Sequence, residues 1–306
     1  MSKKLSHKIF HSKVLLFGEH IINLGAKGLA VPFDHYDGLL KSGKLSDDKT
    51  FHSNQSLQKL ADFIIAEDHL TPLYDTNQFL DDLEKGLYFD STIPQGYGLG
   101  SSGALVAALY HRYRKPNKKP KEVGIIKKEL AELESYFHGK SSGLDPIVCY
   151  TNQAVLITKG EVSEVFHLPK SDSHTLQIFL INTHIERKTA PFVNLFLNKC
   201  KDKKFMSVVE KSLIPTNNIA IESFLKKKYD SLMNSVKLIS QLHADLMPEF
   251  IPPKFREAWL HGLKYNEFHL KICGAGGGGF IIGFARADTN LPTFLGGMEI
   301  IELMKF

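Results

Sequence analysis

The chain has 306 residues, 43% hydrophobic and 23% charged, a balance that fits a compact, water-soluble protein of two lobes and excludes a largely disordered one. Its 38 basic and 33 acidic residues leave a formal charge of +5, spread along the chain with local lysine clusters, which suits an anionic small substrate as well as it suits nucleic acid. The densest cluster, His111 to Lys121, reads as a solvated helix end and loop around Pro116 and Pro120.

In chain order, Lys13 to Phe17 reads as a short buried strand running into Gly18-Glu19-His20, and a charged pair directly after a strand is a place for chemistry. Helical spacing recurs from Leu57 to Glu67 and from Thr76 to Leu87, and Leu87 to Ile93 then reads as a strand ending at Pro94. A glycine-rich turn, Gly96 to Gly103, leads into the alanine-rich run Ala104 to Tyr110, so the turn sits at a helix N-terminus. A helix is expected from Ile125 to Phe137, carrying Glu129, Glu132 and Glu134 and broken at His138-Gly139, with Ser141 to Pro146 as a polar turn beyond it. Strands follow at Ala154 to Thr158 and Leu176 to Asn182, separated by the loop Pro169 to Ser173, which divides the chain into residues 1–170 and 171–306. Helical patterns cover Phe192 to Lys211 and Asn218 to Met247, and the chain closes on strand, glycine loop and strand: Leu270 to Cys273, Gly274 to Gly279, Phe280 to Phe284. These patterns predict mixed α and β structure, an α+β class, in two lobes.

Cys149, Cys200 and Cys273 are too widely spaced for a C-x-x-C metal site or a disulfide framework, which points to a reducing compartment. Met1 to Phe10 lacks an apolar core followed by a cleavage site, and no stretch is long and apolar enough to span a bilayer, so a cytoplasmic location is expected.

The segment Pro94-Gln-Gly96-Tyr-Gly98-Leu99-Gly100-Ser101-Ser102-Gly103 offers closely spaced backbone N–H groups at the positive end of a helix dipole, with two hydroxyls at its end. Such a loop suits a triphosphate with magnesium, which prefers hard oxygen ligands. Gly98, Gly100 and Gly103 also satisfy G-x-G-x-x-G, but a lysine-rich segment stands where a dinucleotide site wants an acidic residue. Gly38 to Lys44 nearly spells a Walker A loop, yet Leu45 occupies the metal-ligating Ser/Thr position and no hydrophobic strand is evident before it. A tight helix-packing turn is the remaining reading of the Gly96 loop, though it would not need two serines.

Three segments in order, Lys13 to His20, Pro94 to Gly103 and Lys271 to Gly279, together resemble the three motifs of the GHMP kinases. Within that superfamily His138-Gly139-Lys140-Ser141-Ser142-Gly143-Leu144-Asp145 is similar to the His-Gly-x-x-Ser-Gly-x-Asp segment of the mevalonate kinase branch, and Asn182 to Thr189 is similar to its substrate-side strand and turn. The resemblance implies an N-terminal lobe of ribosomal-protein-S5-like topology, a ferredoxin-like C-terminal lobe, and ATP-dependent phosphorylation of mevalonate or another small alcohol. It implies Asp145 as general base, with Lys13 favouring the ionised carboxylate and meeting developing alkoxide charge. It places Pro94, Gly96, Gly98, Leu99, Gly100, Ser101, Ser102 and Gly103 on ATP, and Ser102 and Glu134 on Mg²⁺. Glu19, His20, His138, Arg187 and Thr189 would line the substrate pocket, and Gly274, Gly276, Gly277 and Gly278 would form a structural glycine loop. Taken alone, Lys13 reads as a solvated strand-edge lysine, Asp145 as an Asp-Pro turn, Glu134 as a solvated acid and His20 as a satisfied structural histidine. The implied partner is a small molecule, without nucleic acid or membrane, and a homodimer is left open; a GHMP-fold ligand-binding regulator without turnover is the alternative. Departures from the family pattern are His11-Ser12 for Pro-Gly, Ala26-Lys27 within the usual lysine-proline pair, Gly103 for alanine and Cys273 for threonine.

Overall fold

A computed structural model describes residues 8–168, 175–186, 188–291 and 295–305, together with the backbone but not the side chain of His138. The expected boundary at Pro169 to Ser173 and the substrate residue Arg187 lie outside the described residues. The elements run β1 (Phe10–Phe17), β2 (Gly28–Ser42), α1 (Asp48–Ala66), α2 (Thr76–Glu84), β3 (Leu87–Ser91), α3 (Ser101–Tyr113), α4 (Val123–His138) and α5 (Leu144–Thr151). They continue β4 (Ala154–Thr158), β5 (Glu161–Phe166), β6 (Leu176–Asn182), α6 (Thr189–Lys199), α7 (Lys203–Val208), α8 (Ile214–Leu225), α9 (Tyr229–Leu246), α10 (Arg256–Tyr265), β7 (Phe268–Ile272), β8 (Phe280–Arg286) and β9 (Glu299–Lys305). The expected mixture of helix and sheet is observed.

The chain forms two compact units that are each discontinuous in sequence. The first holds residues 1–13, 32–94 and 99–155; the second holds 14–31, 95–98 and 156–306. One sheet has the order β1-β2-β4-β5, with β3 paired antiparallel to β2 in the register Gly38 opposite Ser91 through Ser42 opposite Leu87. The other, wholly in the second unit, is an antiparallel sheet of order β7-β8-β6-β9, in which Ile178 faces Phe284 and Leu180 faces both Ile282 and Ile301. β8 reads as an almost unbroken apolar run, and β7 is buried throughout although it carries His269 and Lys271.

Several expected elements changed length for identifiable reasons. The near-Walker segment Gly38 to Lys44 lies in and just after β2, so a strand does precede it, and its first five residues are extended and paired to β3 rather than curled round a phosphate. The expected helix Phe192 to Lys211 breaks where the Asp202 carboxylate accepts from the Phe205 amide at 2.8 Å and starts α7, which passes through a π-helical turn, Val209–Leu213, into α8. The expected helix Asn218 to Met247 is two, because Lys227 adopts a left-handed φ of 53° and the Lys228 amide returns to the Ser223 carbonyl at 2.8 Å. The Ser141 to Pro146 turn is in fact half helix: α5 begins at Leu144, since proline is tolerated in a first helical turn and Ile147, Val148 and Cys149 behind it are buried.

The first unit is braced by buried ion pairs. Arg114, with a side chain 2% exposed, donates to both oxygens of Glu129 on α4, and Glu129 also accepts from the Tyr110 hydroxyl of α3 at 2.6 Å. Arg112 and the Tyr113 hydroxyl share Asp82 of α2 in the same way. Removing one member of such a pair strands its partner's charge in a poorly solvated place, so Glu129→Ala should destabilise the chain by about 3 kcal/mol, read as a lower urea midpoint at unchanged slope.

Candidate functional site

In the first unit, Lys13 leaves β1 almost fully buried, and its ammonium meets Asp145 Oδ1 at 2.8 Å. Its own amide donates to the Leu99 carbonyl at 2.9 Å, which ties the strand to the glycine loop. The stem then passes Gly100, where a Cβ would sit 3.0 Å from Lys13 Cγ and 3.2 Å from Cε, and Gly100 itself takes a φ of 77°. A side chain at position 100 would therefore push the ammonium off its partner. Ser101, Ser102 and Gly103 form the first turn of α3, with Gly100 at the N-cap.

Asp145 lies in the first turn of α5, where the helix dipole favours a carboxylate, and keeps a third of its side chain exposed. Two local features set that turn. Gly143 has a φ of 70°, and a Cβ there would meet the Lys127 carbonyl at 2.4 Å. The Ser141 hydroxyl accepts from the Gly143 amide at 2.9 Å, and the Ser142 hydroxyl accepts from the Leu144 amide at 3.3 Å. Gly103 supplies the other side of the contact: a Cβ there would stand 2.9 Å from the Asp145 carbonyl carbon and 2.9 Å from the Pro146 nitrogen. The departure from alanine at 103 thus accompanies an approach of α3 to α5 too close for a methyl group.

Beside this pair, the Glu134 carboxylate is buried and accepts from Ser102 Oγ at 3.0 Å and from Ser141 Oγ. Burial, reinforced by the charge of Asp145, pushes the Glu134 carboxyl up to about 7, against the opposing pull of the two hydroxyls and of Lys13. Glu134 is therefore no solvated acid. Ser141 was not among the expected site residues, and its place beside a buried glutamate seven positions earlier is not legible before the α4–α5 turn is built.

The second unit holds Glu19 and His20. Glu19 forms a buried ion pair with Lys271 of β7, whose ammonium also donates to the Ile272 carbonyl at 3.0 Å and lies 5.5 Å from the Phe17 ring centroid. His20, at a φ of 61°, donates from Nε2 to the Ala275 carbonyl at 3.1 Å and stacks on Phe196, with Phe250 at its edge. Behind them the imidazole of His243 accepts the Ile272 amide at Nδ1, and burial with Lys271 nearby holds it neutral. Sequence reasoning quoted Lys271 only as the start of the third motif and gave neither it nor His243 a role; a lysine between Leu270 and Ile272 in a strand was the available signal.

The two glycine loops also meet within this unit. Gly96 and Gly98 take φ values of 76° and 74°, and a Cβ on Gly279 would lie 2.7 Å from the Tyr97 carbonyl. Gly276 lies under Phe250 and Gly277 under the Phe192 ring, while Gly274 has a positive φ and Gly278 is buried. Pro94 precedes the first loop, part-buried, and Thr189 is exposed at the start of α6. His138 ends α4, and its side chain is outside the described residues. Among the described residues no group of three or more His, Cys, Asp or Glu side chains could hold a metal ion, and no helix is long and apolar enough to cross a membrane.

Two outcomes follow from this geometry. Gly103→Ala must move backbone atoms of α5 and should cost about 1–3 kcal/mol of stability, measured by urea unfolding; a midpoint equal to the parent's would contradict the close approach. Because the Glu134 value lies above the ordinary 4.5 in the folded chain, its contribution is fully present below about pH 4.5 and is lost as the pH rises through 7. The ligand-free protein should accordingly lose Tm between about pH 5 and 8 relative to Glu134→Gln, and parallel Tm profiles would refute it.

Comparison with known proteins bears on what this arrangement belongs to. Residues 69–153, which include α3, α4, the Ser101–Gly103 turn, Glu134 and Asp145, match the profile of the GHMP kinases N terminal domain. A mevalonate kinase of Bos taurus is 28% identical over 234 residues, 66% of this chain and 55% of that protein. The matched stretches span about half the length of the curated relatives. The crystal structure of L. major mevalonate kinase in complex with R-mevalonate superimposes with a TM-score of 0.64 at 17% identity, covering 99% of this chain and 97% of that one. Streptococcus pneumoniae phosphomevalonate kinase gives 0.65 at 13% identity, covering 99% of each chain. Residues 69–153 are therefore similar to the GHMP kinases N terminal domain, and the chain as a whole shares the fold of these two kinases.

Proposed function

We propose that the chain is an ATP-dependent kinase of a small alcohol, and that mevalonate is the alcohol, phosphorylated at its primary hydroxyl. The observation that carries this reading is the Lys13–Asp145 ion pair at 2.8 Å, set beside a buried Glu134 that is hydrogen-bonded to Ser102. Both lie in the segments that resemble the GHMP motifs, and named relatives of the matched stretch are mevalonate kinases.

In this reading Asp145 takes the proton of the acceptor hydroxyl as its oxygen attacks the γ-phosphorus of ATP. The bond from that phosphorus to the bridging oxygen breaks, ADP leaves with the electron pair, and the proton rests on Asp145 before passing to solvent. Lys13 holds the carboxylate in place and meets the negative charge that develops on the attacking oxygen. The amides of Gly96 to Gly103 hold the nucleotide phosphates at the start of α3. Little covalent help is required of the protein, so in-line positioning dominates the rate.

Magnesium fits the donors present. Glu134 and Ser102 offer hard oxygens, and the upward displacement of the Glu134 carboxyl marks a buried site short of positive charge. With few protein carboxylates at hand, the ion would be held by these two residues together with nucleotide phosphates, and it would neutralise phosphate charge there. Glu19 and His20, which the resemblance assigns to the substrate, are held in fixed positions within the second unit by Lys271, by Ala275 and by the ring of Phe196.

A second reading has a specific observation behind it. The fold matches a phosphomevalonate kinase as well as it matches a mevalonate kinase, so a different acceptor on the same machinery is the alternative. ADP release should be followed with mevalonate, phosphomevalonate, galactose and homoserine. The proposal expects turnover with mevalonate that falls about 10²- to 10⁴-fold in Asp145→Asn at little change in KM for ATP. Turnover with another alcohol alone would replace the acceptor, and a near-normal Asp145→Asn would remove the base.

A further inference from the structure

A cavity of about 310 Å³ opens in the second unit, lined by Tyr229, Asp230 and Asn234 of α9, Asn266 after α10, His269 of β7 and Arg286 at the end of β8. That volume is at the small end of ligand pockets, which run from about 300 to 1,000 Å³. None of these residues belongs to the motifs assigned above, and the Lys13–Asp145 pair lies in the other unit.

Several polar side chains around this cavity contrast with the buried charges elsewhere, which are matched. Arg112 is matched by Asp82, Arg114 by Glu129 and Lys271 by Glu19. Among the described residues, Arg286 and Asp230 make no ion pair, and the side chains of Asn234 and Asn266 make no hydrogen bond. At the exposed rim water can serve them. His269 is different: it is only 2% exposed, and its Nδ1 has no hydrogen-bond partner. A buried polar group without a partner costs about 1–3 kcal/mol, and this one belongs to a residue in the wall of the cavity. Burial, with Lys237 nearby, pushes this imidazole down to about 4, and the neutral ring offers one donor and one acceptor.

The chemistry of the lining narrows the occupant. A guanidinium fork selects an oxyanion, carboxylate or phosphate. Asp230 can only accept, so it repels a bare anion and calls for a ligand that also carries hydroxyl donors. The two amides and the imidazole suit the same hydroxyls. We propose that this cavity is a binding site for a small hydroxylated oxyanion, a phosphate ester or a hydroxy acid, with Arg286 on its anionic group and Asp230, Asn234 and His269 on its hydroxyls.

The test uses the full chain and four probes at equal ionic strength: glycerol 3-phosphate, glycerate, inorganic phosphate and glycerol. Tm and the imidazole ¹⁵N shifts of His269 are followed through each titration. A saturable rise in Tm and a moving His269 signal are expected with glycerol 3-phosphate, glycerate or both, which tells phosphate esters from hydroxy acids. Affinity should fall about tenfold or more in Arg286→Ala, a change at an exposed residue, and should survive Lys13→Met. The proposal is overturned if neither hydroxylated anion saturates, if inorganic phosphate matches them, or if the response persists undiminished in Arg286→Ala. His269→Phe, which satisfies the orphaned position with an apolar ring, should keep the fold and lose the response.

Discussion

The candidate chemistry rests on one steric condition: α3 and the first turn of α5 approach so closely that position 103 has room for no side chain. Asp145 is held by that contact from one side and by Lys13 from the other, and Lys13 in turn runs over a second position, 100, that must be bare. The two glycines therefore have a steric role beside the phosphate contacts proposed for their amides. They set how near a carboxylate and an ammonium can come while the stems around them stay packed. The Ser141 and Ser142 hydroxyls finish the arrangement by satisfying the amides at the start of α5.

Around that contact lies a graded electrostatic environment. The braces of the first unit, Arg112 with Asp82 and Arg114 with Glu129, are buried and fully matched, which fits structural roles. Glu134 is buried, accepts from the hydroxyls of Ser102 and Ser141, lies next to a second carboxylate, and has a displaced protonation equilibrium. A matched pair stabilises; an under-compensated acid is where a cation or a proton is wanted. In the second unit Glu19 belongs to the first kind, being tied to Lys271, although its sequence position beside His20 suggested a free pocket residue.

Much of this was legible in the residues. The glycine-rich turn before an alanine-rich helix, the strand into Gly18-Glu19-His20 and the strand–loop–strand near the C-terminus all have signatures within ten residues, and they appear where expected. What stayed hidden is what depends on distant partners. β2 was missed because Pro32, Asp34 and Gly38 interrupt its apolar pattern, and pairing with β3 overrides them. α5 was missed because an Asp-Pro step looks like a turn when the buried face behind it is not yet known. Ser141 has no local signal that separates it from an ordinary residue; it acquires meaning only from the acid that the fold brings to it.

The buried bond between Glu19 and Lys271 joins positions 252 residues apart, and the second unit itself borrows residues 14–31 from the start of the chain. A ribosome delivers these ends at widely separated times. Until the last strands emerge, the acid at position 19 has no counter-charge and must stay in water, so the early segment waits as an unfinished edge. Completion of the second unit is thus coupled to the arrival of β7, and a chain cut short before that strand is deprived of the buried ion pair of Glu19.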